Sequence, residues 1–206
     1  MIKFNAMKKN SLFILFFFML TTYSQEEYLF SVTGSLYDAD TQKMSNCNLE
    51  FRYNLKKDVV YFMFAQDSVY TGYLFNTETR DSVYNMLNKY LDWHKKAIEM
   101  GTEVDKEINK IHLTAYFNYK NSKTIYTNGY ALLKTYFLSQ DVDWHQLVLK
   151  FGSIEDRHNR FISYKPKNIY LDKVQVMELK KAFDSNYLET FKQNIKKQRS
   201  IRKLFK

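Results

Sequence analysis

Residues 49–75 read Leu-Glu-Phe-Arg-Tyr-Asn-Leu-Lys-Lys-Asp-Val-Val-Tyr-Phe-Met-Phe-Ala-Gln-Asp-Ser-Val-Tyr-Thr-Gly-Tyr-Leu-Phe, and this stretch decides the fold class. Leu49, Phe51, Tyr53 and Leu55 alternate with Glu50, Arg52 and Asn54, the period of two that belongs to a strand with one wet face. Val59–Phe64 is apolar without interruption, as in a central strand covered on both sides. Val69–Phe75 completes an antiparallel meander. Upstream, Phe30–Tyr37 alternates in the same way, and Asp38–Lys43 carries turn chemistry.

Downstream the period changes. Val83, Leu87, Tyr90, Leu91, His94, Ala97 and Ile98 recur at spacings of three and four, which predicts a helix. Asn76, Thr77, Thr79 and Asp81 offer N-caps, and Gly101 offers a stop. Thr102–Asn109, with its acidic Glu103, Asp105 and Glu107, reads as a solvated connector. Strand alternation returns at Ile111, Leu113, Ala115, Phe117 and Tyr119.

Asn128-Gly129 has the signature of a two-residue hairpin turn. Gln146–Phe151 and Phe161–Tyr164 are expected to pair across the polar 153–159 loop, and Ile169–Leu171 forms a short strand. Asp172-x-x-Gln175 is a capping-box pattern that opens the last helix, with Val176, Leu179, Phe183 and Tyr187 as its buried stripe. The order is strands, helix, strands, helix. That predicts an α+β fold, a mostly antiparallel sheet of about seven to nine strands with two main helices, because βαβ alternation is missing.

The N-terminus has a different character. Lys3, Lys8 and Lys9 precede the apolar run Leu12–Leu20, and Thr22 and Ser24 are small. This is the pattern of a secretory signal peptide over residues 1–24, cleaved after Ser24. A helical run of about ten residues covers roughly half of a ~30 Å hydrocarbon layer, so no transmembrane span is expected after cleavage. The one Cys, Cys47, lies far from the leader, which argues against a lipoprotein; it reads as a small buried side chain. The excess of Lys over Arg, with the leader, points to a bacterial envelope protein exported to the periplasm. Residues 25–191 are read as one α+β domain, with a division into two small lobes near 101–110 as the variant.

Charge separates a third segment. Of 31 basic residues, three lie in the leader, leaving 28 against 22 acidic ones. Seven of the 28 (Lys192, Lys196, Lys197, Arg199, Arg202, Lys203 and Lys206) fall in residues 192–206, which contain no acid. The basic balance therefore comes from a helical tail, while the body is near neutral. Such a tail suits an anionic membrane surface or an acidic protein partner. Export argues against nucleic acid as a partner.

Motifs for chemistry are sparse. Asp141-x-Asp143-x-His145 places two carboxylates and an imidazole on one side of an extended segment, the donor set of a metal-assisted hydrolase if His112 or His158 joined it. Its plainer reading is a polar loop. Asp38-x-Asp40 begins like a calcium loop, but Lys43 and Leu49 stand where Gly and Glu are required. Asp-Trp-His occurs at 92–94 and again at 143–145, in different predicted elements, and is taken as coincidence. Outward tyrosines, with Tyr116 and Tyr126 as candidates, could form a platform for a small ligand or glycan. No cofactor is expected. The balance favours a non-catalytic envelope protein that binds another protein or an envelope surface, with the tail as the contact.

Overall fold

The alternating segments are too numerous for one flat sheet, and their twist closes them on themselves. The computed structural model describes residues 26–38, 41–140 and 144–205, without the side chains of 128 and 129. Ten strands form: β1 (Glu26–Asp38), β2 (Lys43–Asn54), β3 (Val59–Gln66), β4 (Val69–Phe75), β5 (Val104–Tyr119), β6 (Tyr126–Ser139), β7 (His145–Phe151), β8 (Ile154–Glu155), β9 (Ser163–Tyr164) and β10 (Ile169–Leu171). Helix α1 (Thr77–Met100) follows β4. Helix α2 (Lys173–Lys180), a 3₁₀ turn (Lys181–Phe183) and helix α3 (Ser185–Leu204) follow β10. Eight strands close into a barrel in the order β1-β10-β7-β6-β5-β4-β3-β2, every neighbour antiparallel, and β8 pairs with β9 in a separate ribbon. The class is α+β, as the periodicity predicts.

Period-two alternation sorts the barrel side chains. Leu49, Phe51 and Tyr53 of β2 turn inward, as do Phe62 and Phe64 of β3, Tyr73 and Phe75 of β4, and Phe151 of β7, all buried. Tyr73 and Phe151 sit on strands separated by two others, yet their rings stack at 4.4 Å. Phe62 and Phe64 approach Phe151 at 6.1 and 5.6 Å. The lumen is thus filled with aromatic side chains, the usual state of an eight-stranded barrel. Gly34 faces the same interior: a Cβ there would lie 3.0 Å from Leu49 Cδ1 and 3.1 Å from Ile169 Cγ2 and Leu171 Cδ2, so its lack of a side chain eases the approach of β1 and β10.

Both mouths are covered. Antiparallel alternation brings the start of β1, the end of β2, the end of β4 and the start of β7 to one mouth, where the helices lie. Phe183 in the 3₁₀ turn puts its ring 5.0 Å from Phe75 and 6.1 Å from Phe51. Val83, Met86, Leu87 and Tyr90 of α1 are buried beside it. At the other mouth the β8–β9 ribbon lays Tyr164 5.8 Å from Phe117. Lys167 stands beyond it, with its ammonium 2.7 Å from both Asp38 and Asp67. That cation ties the β1–β2 turn to the β3–β4 turn.

The local expectations meet mixed outcomes. Asn76 caps α1 by accepting from Thr79 N, and Gly101 ends it in the left-handed region at φ 60°. Asp172 and Gln175 form the capping box at α2. The last helix is interrupted, however: Asp184 leaves helical backbone and caps α3 by accepting from Asn186 N and Tyr187 N. Asn128-Gly129 is not a hairpin turn but lies within β6. There, two residues of β6 oppose one of β5 between the Leu113–Ala131 and Ala115–Asn128 pairs, a bulge that bends the strand. The 102–109 connector is largely strand, since β5 begins at Val104 and pairs with β6 from its first residue. Phe161–Tyr164 does not join β7: Ser163–Tyr164 pairs with β8, and β7 pairs with β6 and β10.

Removing the ring at the centre of the lumen should be costly. A Phe151→Ala variant is expected to lose about 3–5 kcal/mol of unfolding free energy, read as a lower urea midpoint at unchanged slope; a loss below 1 kcal/mol would mean that the rings do not meet across the barrel.

Candidate functional site

At the helix-covered mouth His94 and His145, the last residues of the two Asp-Trp-His triplets, meet. His94 stands on α1 one turn beyond Tyr90, and His145 opens β7 with its side chain turned inward. Their Nδ1 atoms are 2.9 Å apart and the rings are nearly perpendicular at 4.9 Å. At this distance one imidazole donates its Nδ1–H and the other accepts through a bare Nδ1. Tyr90 lies parallel to His94 at 6.2 Å and donates its hydroxyl to the His145 carbonyl oxygen. Phe137 packs on His145 at 5.6 Å. His145 is 4% exposed, and among the described residues its buried Nε2 has no hydrogen-bond partner. Leaving that atom unsatisfied costs about 1–3 kcal/mol. Burial, helped by His145 and Lys173, pushes the His94 pKa below its usual value.

The metal reading gains one ligand and loses the evidence for others. His145 meets His94, not His112, which is exposed on the outer face of β5, nor His158, which is exposed in the β8–β9 loop. Asp141 and Asp143 lie outside the described residues. Among the described residues no three His, Cys, Asp or Glu side chains converge. Two nitrogens bound tetrahedrally to one zinc at 2.0–2.1 Å would stand about 3.4 Å apart. The observed contact is shorter and has the length of a hydrogen bond. The repeated triplet, taken as coincidence from the sequence, supplies both histidines of this contact.

A charged cluster anchors α1 to the barrel. Arg80, 5% exposed, places Nη1 3.0 Å from Asp58 Oδ1 and Nη2 3.2 Å from Asp58 Oδ2. Tyr53 and Thr77 donate hydroxyl bonds to the same carboxylate. The Arg80 bond, then the Tyr53 and Thr77 hydroxyls, hold the Asp58 pKa down at about 2 against the opposing effect of burial. This cluster fixes the β2–β3 turn against the first turn of α1, which is a structural task.

The tail leaves the barrel on α3. Leu188 is buried, and Phe191 packs edge-on to Tyr53 at 6.5 Å. Arg199 reaches back to Glu27 at 2.6 Å, tying the helix to the start of β1. Lys192 pairs with Glu189 at 3.4 Å. Lys196, Lys197, Arg202 and Lys203 are exposed, and Lys206 lies outside the described residues. Ile201, Leu204 and Phe205 are exposed as well. At 100° per residue this trio is rotated by about 120° from the packed Leu188–Phe191–Ile195 face, so it looks into solvent.

The tyrosine candidates are occupied by the fold. Tyr116 covers Gly72, where an added Cβ would fall 2.2 Å from the ring. Tyr126 is not outward: it stacks on Phe117 at 4.9 Å. Cys47 is buried and free, and burial raises its thiol to about 11.

Comparison with protein families, with curated proteins and with solved structures finds no match to this chain.

The histidine pair sets a pH dependence. His94 binds its proton more weakly folded than unfolded, so its stabilising contribution is complete above the unfolded value of 6.5 and shrinks as pH falls from there through the lowered folded value. Urea unfolding at pH 7.5 and 5.5 should show a loss of stability that is smaller in a His94→Gln variant; equal losses in both proteins would exclude the pair as the cause.

Proposed function

We propose that this chain is an exported, non-catalytic protein of the bacterial envelope that docks through the end of α3 onto an anionic surface. One observation carries the reading. After its last packed contacts, α3 continues to Leu204 with cations at 196, 197, 202 and 203, no acid, and the apolar trio Ile201, Leu204 and Phe205 turned to solvent. Burying an apolar side chain is worth about 1.5–3 kcal/mol, so Ile201 and Leu204 on the helix and Phe205 at its C-cap, all held in water, support a role that covers them. Each cation near an anionic leaflet adds roughly 1 kcal/mol. Together they make a short amphipathic segment of the kind that lies in a headgroup layer.

The other polar clusters support a binding domain over an enzyme. Arg80 with Asp58, and Lys167 with Asp38 and Asp67, clamp turns. The aromatic lumen supports a solid scaffold over a carrier. The leader pattern at 1–24 supports delivery across the inner membrane.

Deleting residues 192–206 should lower the partition coefficient onto phosphatidylglycerol-containing vesicles at least tenfold while circular dichroism of the barrel is retained; unchanged partitioning would remove α3 from the function. Export has its own measurement: the protein recovered from a periplasmic fraction should begin at Gln25 by N-terminal sequencing, and cytosolic protein with the leader intact would refute it.

A further inference from the structure

A second exposed surface lies at the mouth opposite the helices, formed by the β5–β6 turn and the loop between β8 and β9. The two are one unit. Arg157 N donates to Thr127 O at 2.9 Å, and Thr127 N donates to Asp156 Oδ1 at 3.3 Å. The loop is fixed by its own bonds: Asp156 N to Ile162 O at 2.8 Å, Ile162 N to Asn159 O at 2.9 Å, and Phe161 N to Asn159 Oδ1 at 3.2 Å. Ile162 packs inward against the core. Its neighbour Phe161 is 93% exposed at the tip, and Ile125 in the adjacent turn is 59% exposed. An apolar ring is therefore held in water by an ordered loop.

The charges around these two tips have one sign left over. Lys120, Lys123, Arg157, Arg160 and Lys165 are exposed, and among the described residues none of them forms an ion pair. Of the acids in the same loops, Asp156 spends its carboxylate on the backbone N–H groups of Thr127, His158 and Asn159. Glu155 is the other acid there.

We infer that this mouth is a docking surface for an anionic lipid bilayer, with Phe161 and Ile125 entering the headgroup layer and the five cations lying over lipid phosphates. Two apolar tips projecting from separate loops suit a soft, planar partner that yields to both, and the charge complementarity fixes its sign. The surface is distinct from α3, which leaves from the other mouth, and the inference stands whether or not α3 binds.

The test uses the full mature chain and vesicles of phosphatidylcholine with and without phosphatidylglycerol, some carrying brominated acyl chains. A Phe161→Trp variant should show bromolipid quenching above that of the parent protein, whose own Trp93 and Trp144 set the background, and only with anionic vesicles. An Arg157→Gln/Arg160→Gln variant should partition about twenty-five-fold more weakly, at about fivefold per cation near the surface, with its urea midpoint unchanged. No added quenching in Phe161→Trp, or undiminished partitioning of the double variant, overturns the inference. Binding to polyglutamate without quenching by anionic vesicles also overturns it, in favour of an acidic protein partner. Because the quenching reports on position 161 alone, it separates from any result obtained by deleting α3.

Discussion

The structure depends on three residues that complete a ring of hydrogen bonds. Ile169, Tyr170 and Leu171 pair with β7 on one side and, through Ile169 and Tyr170, with β1 on the other. Without β10, β1 and β7 would be the free edges of an open seven-stranded sheet. Its concave face would expose the aromatic set that the closed lumen buries. Closure is eased where Gly34 leaves room for Ile169 and Leu171. The same short strand then delivers the chain directly into Asp172 and the helices that cover the mouth. One three-residue element thus closes the wall and positions its lid.

Packing at that lid explains why polar groups there serve structure. Phe183 fills the opening between Phe51 and Phe75, and α1 lies beside it, held at its start by Arg80 on Asp58 and near its end by His94 on His145. The first contact is ionic and half open to water on the Asp58 side; the second joins two imidazoles, with His145 buried and His94 half-buried. Such a pairing makes the two ends of α1 respond to different conditions, since Arg80 holds the Asp58 carboxyl down at about 2, whereas burial lowers the pKa of His94 from the ordinary histidine value.

Much of this was legible from residue order. Alternation in Leu49–Tyr53 and continuity in Val59–Phe64 placed strands because side chains two apart share a face, and Asn76, Gly101 and Asp172 marked helix ends through local backbone chemistry. What the sequence withheld was long-range. Closure rests on pairing β1 with β10 across more than a hundred residues, and no local period encodes which edges meet. Asn128-Gly129 misled because the same backbone freedom that makes a hairpin turn also makes a bulge. The basic end of α3 was readable as a run of charge, and the rotation of Ile201, Leu204 and Phe205 away from the packed face follows from helical geometry. The site formed by His94 and His145 lay in the doubled triplet, which read as coincidence, because their contact joins α1 to β7 and needed coordinates. Phe161, one apolar residue in a polar loop, gave no periodic signal at all.

A wall without ends has a further implication for how this molecule meets others. In an open sheet the outermost strand offers a row of free amide and carbonyl groups, which any extended peptide of suitable length can extend. Here every barrel strand has a neighbour on each side, so that generic mode of adhesion is closed off wherever two strands are paired. The side chains carried by the turns and by the projecting helix are then the parts of the surface that can change without disturbing the staves.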